Sequence, residues 1–170
     1  MLTVTGWGIA LAVIAHLCFS ASAQADDWLA YTNMRFGFAF SHPAALKPGP
    51  VPANGAGRTF TDGKFSVTVQ AHFSLQSLEE TWRQIQADYG KSATYKVKKP
   101  DWFVISGVLP DGTEFYRKFH EGNGSWCELW AIYPHSMNKT YDPVLERMVK
   151  SFRPFLPGDD YDRAAVEQPK

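Results

Sequence analysis

The chain has 170 residues, 17 Lys and Arg against 17 Asp and Glu, and therefore no formal net charge; 15% of its residues are aromatic. A balance of zero argues against a general electrostatic role on nucleic acid or on an anionic membrane.

Residues 1–23 read as a signal peptide. An apolar run from Trp7 to Phe19 is followed by Ala21-Ser22-Ala23, which puts small side chains at both positions a signal peptidase reads. Cleavage is expected before Gln24, or before Asp26 if Ala23-Gln24-Ala25 is used. The run falls short of the about 20 apolar residues of a membrane span. Its n-region carries no Lys or Arg, and an uncleaved anchor is the alternative reading. Ala15-His16-Leu17 before Cys18 lacks the small-residue pattern of lipid attachment. With the leader gone, Cys127 is the remaining thiol, so no intrachain disulfide is available although export permits one. A hydrophobic core must hold residues 24–156 together as one domain.

From Trp28 the pattern is mostly period two. Leu29 and Tyr31, then Phe36, Phe38 and Phe40, alternate across an Asn33-Met34-Arg35 turn and predict two antiparallel strands, the second ended by His42-Pro43. Residues 43–57, rich in Pro and Gly, read as a surface loop. A hairpin follows, with Asp62-Gly63 as a two-residue turn; Phe65, Val67, Val69 and Ala71 share one face, and Ser66, Thr68, Gln70 and His72 the other. Ser77 and Glu80 form a capping box, Leu78, Trp82, Ile85 and Tyr89 recur at helical spacing, and Gly90 suits a left-handed cap.

Four strands are expected next, at 94–99, 102–109, 113–121 and 125–133, joined by Pro, Asp, Asn and Gly turn residues. "WFVISGVL" is apolar on both faces, which predicts cover on both sides. A last helix is expected to begin at Asp142 as N-cap with Pro143 in its first position, to bury Leu145, Met148, Val149 and Phe152, and to stop at Pro154. Residues 157–170 read as a flexible tail. The order ββ-ββ-α-ββββ-α predicts an α+β domain in which helices sandwich an antiparallel sheet, α/β/α.

The segments "YTNMRFGFAFSHP", "GRTFTDGKFSVTV", "TYKVKKPDWFVISGVLPDGTEFYRKF" and "YDPVLERMVKSFRPF", in that order around one central helix, resemble bacterial exported relatives of the PsbP-like superfamily. That superfamily includes the extrinsic PsbP subunit of photosystem II, a Ran-binding nuclear import factor, and bacterial periplasmic or lipid-anchored proteins. The resemblance covers residues 28–156 and implies an α/β/α sandwich with a non-enzymatic binding or accessory role. It carries over no functional residues, because members of one fold bind unrelated partners.

The chain offers little catalytic chemistry. There is no Gly-x-Ser-x-Gly elbow, and Gly55-Ala56-Gly57-Arg58 lacks the spacing of a phosphate loop. Cys127 reads as a buried, inert thiol. His42, His72, His120 and His135 have no ligand spacing and read as solvated strand-end residues; His72 and His120 would approach one another only on neighbouring strands, near Glu121 or Asp62. Glu79 and Glu80 belong to a helix start, while Glu114 and Glu128 are expected to form surface ion pairs with Lys118 or Arg117. No catalytic residue, cofactor or metal is therefore predicted.

For partner contact the candidates are Met34 and Arg35 at the first turn, the loop at 43–57, and an aromatic-basic patch of Lys96, Lys98, Tyr116, Lys118 and His120 if their strand faces are continuous. The ordinary alternative is a lysine-protected sheet edge. The three opening phenylalanines are assigned to the core. The expected role is contact with a protein of the cell envelope; the alternative is a small-molecule or lipid carrier with a pocket between sheet and helix lined by Trp82, Trp102 and Trp130.

Overall fold

The computed structural model describes residues 27–73, 76–122 and 124–157. The leader with its cleavage positions, and the expected tail beyond Pro157, lie outside them. Strands β1 (Trp28–Asn33) and β2 (Phe38–Pro43) pair as a separate hairpin. The main sheet comprises β3 (Lys47–Pro48), β4 (Gly57–Thr61), β5 (Ser66–Phe73), β6 (Ala93–Lys98), β7 (Trp102–Val108), β8 (Thr113–Gly122) and β9 (Ser125–Pro134). These seven are antiparallel, in the order β3-β4-β5-β9-β8-β7-β6. Helix α1 (Leu78–Tyr89) joins β5 to β6, and α2 (Asn138–Ser151) follows β9 through a 3₁₀ turn at His135–Met137.

Two cores lie on opposite faces of the sheet. In the first, Phe38 and Phe40 of β2 and Leu145 and Met148 of α2 cover Val67, Val69, Leu129 and Ala131. In the second, Leu78 and Ile85 of α1, flanked by half-buried Trp82 and Tyr89, cover Phe103, Ile105, Phe115 and Phe119. Strand β7 serves both faces, with Phe103 and Ile105 turned to α1 and Val104 buried on the other side. The expected α/β/α sandwich is thus present, with the β1–β2 hairpin sharing the layer of α2. Burying each large apolar side chain contributes about 1.5–3 kcal/mol, and about twenty such side chains are buried among the described residues.

Local chemistry accounts for most boundaries. Ser77 accepts from the Glu80 backbone while Glu80 accepts from the Ser77 backbone, so the predicted capping box is formed. Gly57 and Gly107 lie where strands approach too closely for a Cβ, against backbone atoms of Val69–Gln70 and Ser92–Ala93.

Five expectations are corrected. Phe36 lies in the turn, not in a strand, because the Asn33 side chain accepts from the backbone of Arg35 and Phe36 and keeps the chain turning. The loop at 43–57 contains strand β3, held to β4. The β4–β5 turn spans Asp62–Phe65 rather than two residues, since Asp62 Oδ1 accepts from the backbone of both Lys64 and Phe65. Gly90 is right-handed (φ −62°) and continues the helical ladder by donating to the Gln86 carbonyl.

Helix α2 begins at Asn138, so Asp142 is no N-cap and Pro143 lies inside it. Burial of Tyr141 against Phe65 and Tyr133 anchors the first turn, which offsets the hydrogen bond that Pro143 cannot make. Asp142 instead accepts from the Tyr133 hydroxyl at 2.7 Å.

Candidate functional site

Directly paired residues of an antiparallel sheet share a face, so the register sorts the candidate side chains. Trp102 opposes His120, Val104 opposes Lys118, and Ser106 opposes both Tyr116 and Tyr95. Tyr116, Lys118 and His120 therefore share the α2 face with Trp102 and Tyr95. Lys96 and Lys98 oppose Ile105 and Phe103, on the α1 face, where the Lys98 ammonium lies 2.7 Å from Glu79. The patch expected to join these lysines to Tyr116, Lys118 and His120 is therefore split between two faces. Lys96 and Lys98 are exposed on the edge strand β6.

On the α2 face, Lys118 stands 5.8 Å over the Trp102 ring. Burial, aided by Arg153, lowers its pKa. Burial and then Lys118 press His120 down to about 4, partly offset by Asp101. Its ring packs on Trp102 and Phe152, and its buried Nε2 has no partner among the described residues. Tyr116 is pushed up to about 12 by burial and by Tyr95. A groove of about 280 Å³ separates α2 from this part of the sheet, lined by Tyr116, Tyr133, Leu145 and Val149 with Glu114, Asp142 and Glu146.

A second cluster lies at one end of the molecule. The Asn33 amide donates to the Gly55 carbonyl at 2.9 Å and ties the first turn to the Pro/Gly loop. Arg35 is exposed and half-buried Met34 lies beside it. The Arg35 guanidinium stands 5.6 Å over the Phe36 ring, which in turn packs 5.0 Å from Phe73. Phe73 is 71% exposed. Sequence reasoning missed it: its parity continues the core series Val67, Val69 and Ala71, but β5 runs past the layer that covers them.

The α1 face holds a third arrangement. Arg117 Nε donates to Glu128 Oε1 at 2.6 Å, and Glu128 is almost wholly buried. This corrects the expectation of a surface ion pair. Burial disfavours the Arg117 charge, but Glu128 outweighs that and raises its pKa. The guanidinium also stacks over Tyr89 and Trp130. Glu114 pairs with His135 at 2.8 Å, not with a basic strand residue. The only sequence signal for the buried pair was Glu128 between two tryptophans on a strand.

Other candidates are separated or enclosed. His72 pairs with Trp126 on the α1 face and His120 with Cys127 on the α2 face, with β9 between their strands, so they do not meet. His42 is buried against Phe60, not solvated. Cys127 is fully buried, and burial drives its thiol pKa well up. Trp82 and Trp130 lie on the α1 face and Trp102 on the other, so the three do not line one pocket. Phe38 and Phe40 are core, as expected, whereas Phe36 is only half-buried.

No protein-family model matches the chain, and no curated protein matches it. Among solved structures it is similar to cyanobacterial PsbP (CyanoP) from Synechocystis sp. PCC 6803. That likeness has 11% identity and a TM-score of 0.58, and it covers 82% of this chain and 99% of the other. With one antiparallel sheet held between α1 and α2, the chain has the PsbP-like fold.

Proposed function

We propose that this chain is an exported accessory protein that acts by docking on a protein of the cell envelope, without catalysis. One observation carries the reading: a 71% exposed Phe73 packed on Phe36, with Arg35 over the same ring, beside the Pro/Gly loop. Aromatic and Arg side chains are the groups that concentrate binding energy at protein interfaces. The fold likeness to PsbP agrees with a non-enzymatic role. Export rests on the apolar run to Phe19 and the small residues after it. Among the described residues no helix is long and apolar enough to cross a membrane; the apolar run of an uncleaved leader is the segment to which membrane contact is assigned. Zero net charge supports no nucleic-acid partner.

The test is affinity capture from an envelope extract with the full chain and with an Arg35→Glu/Phe73→Ser variant of unchanged melting temperature. One protein recovered at fixed ratio by the parent and lost by the variant is the expected result. Equal recovery by both overturns the reading.

The carrier alternative has its own observation, the groove of about 280 Å³ beneath α2. Three carboxylates at that groove disfavour an anionic lipid, so its ligand would be neutral or cationic. Mass spectrometry of the purified protein for a retained small molecule tests it.

A further inference from the structure

We infer that the cleft beneath the Pro/Gly loop is a binding site for a carboxylate group, with Arg58 as its cation. The cleft, of about 220 Å³, is lined by Pro50, Pro52 and Asn54 of the loop, by Arg58, and by Gln70 and His72 of β5. Arg58 opposes Val69 and so leaves β4 on the α2 face. Its Nε then donates to the Gly49 carbonyl at 2.7 Å, and the Gly49 amide donates in turn to the Thr59 carbonyl at 2.8 Å. The guanidinium is thereby held at the outer border of β4, where the loop begins.

The charge at this border is unmatched. Among the described residues Arg58 has no carboxylate partner, and no acid lines the cleft. Its electrostatic neighbour is the Tyr31 hydroxyl, whose pKa burial raises and which is therefore neutral at pH 7. Half-buried Arg117, by contrast, is neutralised by Glu128 at 2.6 Å.

The internal hydrogen bonds of the lining occupy acceptors and leave donors. Arg58 commits only its Nε, and among the described residues its two terminal nitrogens, the parallel pair that grips both oxygens of one anion, have no hydrogen-bond partner. Asn54 accepts from the Ala56 amide through Oδ1, which keeps its own N–H donors available. The Thr59 and Thr68 hydroxyls are occupied with each other at 2.7 Å. Donors, one cation and no acid select an anion. One guanidinium balances one negative charge, which fits a carboxylate; a phosphate group, carrying about 1.5–2 negative charges at neutral pH, would be left partly uncompensated. A free carboxylic acid and an acidic side chain of a docking protein present the same group.

The experiment is titration of the full chain with sodium lactate, with acetyl-Ala-Glu-Ala-amide and with inorganic phosphate at constant ionic strength, followed by amide NMR shifts. At least one carboxylate should bind saturably, and Arg58→Gln should weaken it by about tenfold or more, the loss expected for hydrogen bonds to a charged group. Arg58→Lys keeps the charge without the fork and should fall between the two. Circular dichroism confirms that the variants are folded. Tighter binding of lactate assigns the site to a free acid, and tighter binding of the peptide to a side chain of a docking protein. Phe73→Ser should bind the carboxylates like the parent, so that failure of the docking reading and failure of this site can be told apart. Three outcomes overturn the proposal: neither carboxylate saturates, Arg58→Gln binds as well as the parent, or phosphate binds tightest.

Discussion

Arg117 and Glu128 lie 2.6 Å apart on adjacent strands, with the Glu128 side chain 2% and the Arg117 side chain 16% exposed. A carboxylate so enclosed is tolerated because a guanidinium neutralises it. Glu128→Leu or Arg117→Met alone should destabilise the protein by about 3–5 kcal/mol, by leaving one buried charge unpaired. The double replacement should recover most of that loss. Urea unfolding of the four proteins measures the cycle, and additive losses would show that the pair does not act as a unit.

Gly57 offers a backbone counterpart. A Cβ there would collide with the Val69 carbonyl oxygen and Gln70 Cα of the neighbouring strand. Gly57→Ala should cost at least the about 1–3 kcal/mol typical of overpacking. Thermal melting checks it, with Gly49→Ala as a milder comparison because its added Cβ would make only ordinary van der Waals contact, 3.4 Å from the Thr59 carbonyl oxygen.

His120 should make stability fall on acidification. Its pKa is about 4 in the fold against an ordinary 6.5, so between those values the unfolded chain binds more protons and stability rises with pH. The contribution is complete above 6.5 and is progressively lost as pH falls towards 4. Buried His42, also lowered, acts in the same sense. Chemical denaturation at pH 7 and pH 5 should show a smaller difference for His120→Phe than for the parent; an equal difference would remove His120 from the account.

Cys127 should be inert while the protein is folded. Full burial and a raised pKa withhold the thiolate. An aromatic disulfide reagent should label it only in denaturant, and prompt labelling of native protein would contradict its enclosure.

The sequence carried the elements well where local chemistry decides them. The capping box at Ser77 and Glu80, the period-two run from Phe65 to Ala71 and the doubly apolar β7 are all properties of short windows. Relations between windows were not legible. Lys98 opposes Phe103 and not Trp102, and that single step of register sends Lys96 and Lys98 to the face away from Lys118. The Arg117–Glu128 pair, the cleft shared by Arg58, Gln70 and His72, and the exposure of Phe73 likewise depend on which strands become neighbours and where cover ends. Asp142-Pro143 misled for the same reason, since a distant contact of Tyr141 with Phe65 outweighed a good local helix start.

The two borders of the seven-stranded sheet bear on how its main chain meets other chains. One border is only Lys47–Pro48, where proline has no amide hydrogen to give; the other displays exposed Lys96 and Lys98. Neither invites another chain to zip on through its main chain. The borders of this sheet are therefore poorly suited to main-chain pairing, and contacts made there fall to side chains.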